Sequence, residues 1–88
     1  MAIARAKSKR QLFVDEIEQL IVTGFPDAVF EVGHMPDTRR GTAIWTYTAG
    51  DPDDVAQLVS EREIQLMVDE GVFIYVIPMP LKALESRN

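Results

Sequence analysis

The chain has no cysteine, a single histidine, and no apolar run near the roughly 20 residues of a membrane-spanning helix. Without cysteine there is no disulfide framework, no thiol nucleophile and no thiolate metal site. With one histidine, His34, there is no histidine pair for a metal or a proton relay. Asp37 lies close enough in sequence to orient the imidazole, but no nucleophile accompanies them. The glycines are scattered and form no P-loop, dinucleotide-binding pattern or nucleophile elbow. Glu61 and Glu63 stand two apart in a helical stretch and do not face each other. Asp51, Asp53 and Asp54 lack the spacing of a calcium loop and read as helix-starting acids. These absences predict a non-enzymatic domain without cofactor or metal. The first residues lack the apolar stretch of a secretory signal, so the expected location is the cytoplasm.

What is present is unevenly charged. Arg5, Lys7, Lys9 and Arg10 make the first ten residues strongly basic, whereas the remainder is acidic enough to bring the net charge to −5. An acidic body disfavours non-specific contact with nucleic acid or anionic lipid. Residues 1–7 read as a flexible basic arm, 8–80 as one domain and 81–88 as a tail. A chain of 88 residues is one small domain with a modest core.

Hydrophobic periodicity and end signals give the order α-β-β-α-β. Ser8 and Gln11 have the spacing of a capping box ahead of a helix reaching about Thr23, with Phe13, Ile17, Leu20 and Ile21 as its apolar stripe. Gly24 fits a left-handed helix terminus before Pro26. Strands follow over 28–34 and 42–48, joined by a turn-rich segment that favours an antiparallel hairpin. Asp51-Pro52 opens a second helix, read as one element over 52–70 with a break at Ser60 as the alternative, and Gly71 closes it. The last strand begins at Val72.

This order predicts an α+β fold: a two-layer sandwich of a three-stranded mixed sheet with both helices on one face. The third strand is expected beside the first, in a split arrangement. Side chains alternate along strands, so Phe30, Val32, Ile44, Ile74 and Val76 are expected against the helices. Trp45, Tyr47, Phe73 and Tyr75 then fall on the opposite face; the inverted register, with Trp45 and Tyr47 in the core, fits the same alternation. The last strand, Val72 to Pro80, has no charged residue and is apolar on both faces. Such a strand requires cover on both sides. The expectation is a protein-interaction or assembly domain, homodimeric or bound to another protein. Its contact residues would be Trp45, Tyr47, Phe73 and Tyr75, with the edge of the last strand as a further candidate.

Arg39 and Arg40, beside Gly41, are the candidate anion-binding residues, since a guanidinium pair suits phosphate or carboxylate. Over residues 8–78 the order α-β-β-α-(α)-β resembles that of type II KH domains, which implies an RNA-binding alternative using the basic arm and Arg39/Arg40. The Gly-x-x-Gly clamp of that family would fall at Leu58-Val59-Ser60-Glu61-Arg62, which holds no glycine and adds an acid.

Overall fold

The computed structural model describes residues 8–35 and 41–85. The element order is α1 (Lys9–Gly24), β1 (Val29–His34), β2 (Gly41–Thr48), α2 (Pro52–Gln65), β3 (Phe73–Pro80) and a one-turn α3 (Lys82–Glu85). The helices pack against a three-stranded mixed sheet, so the α+β class holds. The residues 1–7 arm and the Arg39/Arg40 pair lie outside the described residues.

Local chemistry sets each helix end. The Ser8 hydroxyl accepts the Gln11 N–H at 3.1 Å, as the capping spacing predicts, but the Gln11 amide turns to Asp15 rather than back to Ser8. Half of the box therefore forms. Gly24 does not take the left-handed role expected of it. It completes the helix, and Phe25 caps it by donating its N–H to the Ile21 carbonyl at 2.7 Å. Asp51 caps α2 through the Asp53 N–H, with Pro52 in the first turn. The helix runs unbroken past Ser60, whose hydroxyl bonds the Gln57 carbonyl within the helix. It then widens into a π turn over Leu66–Glu70. Gly71 ends it at φ 64°, a left-handed value that favours glycine.

The strand order is β1-β2-β3, with β1 antiparallel and β3 parallel to β2. The split arrangement is therefore corrected: β3 lies beside β2. The reason is coverage. Ser8, which caps α1, and Arg10 and Gln11 of its first turn lie by Val32 and His34 of β1, while α2 packs on β3. Carrying β3 to the far side of β1 would take the crossover across α1. Short connections between neighbours win.

The register and the core decide between the two possible faces. Phe30 pairs with Thr46 and Ile44 with Val76, on the helix side; Glu31 pairs with Trp45 and Ala43 with Tyr75, on the other. The core joins Val14, Ile17 and Ile21 of α1 to Ile44, Val59, Leu66, Val72 and Ile74. Each large aliphatic side chain buried here stabilises the fold by about 1.5–3 kcal/mol. Val14 replaces Phe13 at the centre of the α1 stripe, because Phe13 lies toward α2 near the Arg62 guanidinium.

Between the helices, the Arg62 guanidinium binds both carboxylate oxygens of Glu16. That bond holds the Glu16 carboxyl below the usual glutamate range. Lys9 pairs with Glu70 across the start of α1 and the π turn. An acid at the negative end of a helix is unfavourable alone, and this partner explains Glu70.

Candidate functional site

The sheet face away from the helices carries Val29 and Glu31 from β1, Ala43, Trp45 and Tyr47 from β2, and Phe73, Tyr75, Ile77 and Met79 from β3. Among the described residues, α1 and α2 pack on the opposite face, and eight of these nine side chains are uncharged. The four residues expected at an interface do share this face, but they are not equally available. Tyr75 is 37 % exposed, and Trp45 and Phe73 are half-buried. Tyr47 is the buried one of the four. It is 5 % exposed, and its hydroxyl donates to Glu31 Oε1 at 2.8 Å. It stiffens the β1–β2 pair and offers little to a partner. Ile77 and Met79, also half-buried, take its place in the accessible strip along β3.

Trp45 lies down on the sheet because Gly33 leaves room. A Cβ at position 33 would stand 3.1 Å from Trp45 Cζ3. The indole thus covers β1 and turns only part of its ring outward, which flattens the face.

Beside Tyr75, a small cavity of about 110 Å³ is lined by Glu63, Ile64, Met67, Phe73, Ile74 and Tyr75. Ile64 and Met67 are exposed, so the apolar strip continues around β3 onto α2 and the π turn.

The two sheet edges differ. In a parallel ladder, alternate residues turn their main-chain groups to opposite sides. The Val76 N–H donates to Glu63 Oε2 at 2.7 Å, not to β2, so it points outward. Ile74, Pro78 and Pro80 share that parity. The outward edge of β3 is therefore blunted: Glu63 takes the donor of Val76, and the two prolines have none. This argues against the edge of β3 as a pairing surface. Burial raises the Glu63 carboxyl above the usual glutamate range, against the opposing effect of the Val76 N–H. Glu63 was legible in the sequence only as the last residue of a capping pattern, and its partner lies across the fold.

At the other edge, the Met35 N–H bonds the Gly41 carbonyl at 3.0 Å. Antiparallel alternation from that pair makes Gly33, Glu31 and Val29 the residues bonded to β2, and turns the main-chain groups of Phe30, Val32 and His34 outward. No proline or lysine interrupts this edge. A groove of about 270 Å³ runs between it and the start of α1, lined by Arg10, Gln11, Val14, Val32 and His34 among others.

His34 is exposed at the end of β1, with Arg10 and Gln11 across the groove. Among the described residues no cluster of three or more metal-ligating side chains occurs, and no helix is long and apolar enough to cross a membrane. Leu58 to Arg62 lie inside the continuous α2, so the interhelical loop that a KH clamp needs is not formed there. No protein-family model, curated protein or solved structure matches the chain.

Proposed function

We propose that this protein is a non-catalytic assembly domain whose exposed sheet face packs on the same face of a second copy. The observation that carries the reading is the apolar strip of Trp45, Phe73, Tyr75, Ile77 and Met79, on a face that no helix covers in the described fold. Flat sheet faces pack on one another about 10 Å apart through interdigitated side chains. An identical face is self-complementary in the sense that a two-fold axis requires. Aromatic residues with polar tips suit such a surface, since they bury large area yet tolerate water before assembly. The Tyr75 ring beside the Ile64–Met67 cavity gives the contact a raised point and a hollow.

The test is the solution mass of the protein and of Tyr75→Glu. A carboxylate in the middle of a dry contact is strongly unfavourable, and Tyr75 is exposed enough for the monomer fold to tolerate it. The substituted protein should have half the mass of the parent with unchanged far-UV circular dichroism. A parent mass of one chain overturns the reading.

A further inference from the structure

We propose that a second copy of this chain also adds to the sheet through β1, pairing antiparallel with its own β1 to make a continuous six-stranded sheet. The contact is separate from the face contact and stands without it.

Three observations converge on this edge. First, among the described residues it is the less protected one. The far edge of the sheet is blunted by Glu63, Pro78 and Pro80, with only the Ile74 N–H of that parity left to donate, while Phe30, Val32 and His34 turn an N–H and a C=O each away from β2. Second, the pattern complements itself. A dyad through Val32 pairs Val32 with Val32 of the partner subunit, and Phe30 with His34 of the partner subunit, forming up to about six main-chain hydrogen bonds.

Third, Val32 is 50 % exposed although its side chain lies on the helix side of the sheet, because α1 leaves the β1 edge uncovered. The dyad sets two such valines against each other and covers both. Other occupants fit less well: a foreign strand would satisfy the main chain, but nothing would set a valine against Val32.

The edge dyad stands perpendicular to the sheet, and a face-to-face dyad lies parallel to it. Perpendicular two-folds that meet close as a D2 tetramer, with two six-stranded sheets inside and helices outside. Closure matters, because an edge left open invites unlimited pairing.

The experiment is residue-resolved amide hydrogen exchange on the full chain, with solution mass measured on the same samples for the parent, Val32→Lys, Tyr75→Glu and the double variant. In the parent, the amides of Phe30, Val32 and His34 should be as protected as those of Glu31 and Gly33, which bond β2. Val32→Lys should strip that protection from positions 30 and 34 and halve the mass, with protection of β2 and β3 unchanged. The double variant should be a single chain. Open-chain exchange at these three amides in the parent overturns the proposal whatever the mass. A mass halved by Tyr75→Glu but untouched by Val32→Lys also overturns it and leaves the face contact standing. The reverse pattern upholds the edge and removes the face.

Discussion

The Glu63 carboxylate accepts the main-chain N–H of Val76 at 2.7 Å, from a helix to the outer edge of the neighbouring strand. One side chain thereby closes the donor that an added strand would seek on β3, where Pro78 and Pro80 have already removed the next two.

Glu63→Gln keeps an acceptor for Val76 and removes the charge. Because burial raises the Glu63 carboxyl in the folded state, its contribution is fully present in acid and is lost as pH rises through the raised folded value. Glu63→Gln should therefore be more stable than the parent at neutral pH, and the difference should vanish below the ordinary glutamate range. Urea denaturation of both proteins across pH checks this.

Asp27 has the opposite sign. Its carboxylate accepts the Ala49 N–H at 2.8 Å and the Thr48 hydroxyl, tying the start of β1 to the end of β2. These bonds, the Ala49 N–H first, hold its carboxyl below the usual aspartate range. The stabilisation is present above the unfolded value and is lost as pH falls through the lowered folded value. Asp27→Asn should lose stability at neutral pH and close the gap to the parent in acid, read by the same titration.

The π turn decides which side chain reaches the core. Leu66 is fully buried, whereas Val68, two residues on, is 70 % exposed. Leu66→Ala should destabilise by about 2–5 kcal/mol. Val68→Ala should stay within about 0.5 kcal/mol of the parent. Equal costs would contradict the turn.

Trp45 reports on the face directly, being the only tryptophan. Its indole rests on Gly33 and turns part of its ring outward. Separation of the faces by Tyr75→Glu should raise the quenching of its fluorescence by acrylamide and shift emission to the red. Identical quenching in the two proteins would place the indole away from the contact.

The helices and the strands were legible because each rests on a pattern a few residues long. Alternation put Ile44 and Ile74 on one face and Trp45 and Tyr75 on the other, but which face meets the helices depends on packing between elements distant in sequence. What failed depended on neighbours distant in sequence. Tyr47 is on the expected face, yet it is buried because Glu31 captures its hydroxyl and the flanking strands close around it. The place of β3 turned on which helix covers which strand pair. Gly24 lacks the left-handed conformation because Phe25 can cap α1 with an ordinary negative φ. The difference between the two edges needed both a register and the contact of Glu63 with Val76. None of these leaves a mark within one turn or one strand.

The most direct test of the assembly account is the mass of the unmodified protein by light scattering over a range of concentrations. One chain is 9.9 kDa. Face and edge contacts together predict a particle of four chains, dividing into pairs on substitution at Tyr75 or at Val32. A mass of one chain at every concentration would contradict both contacts.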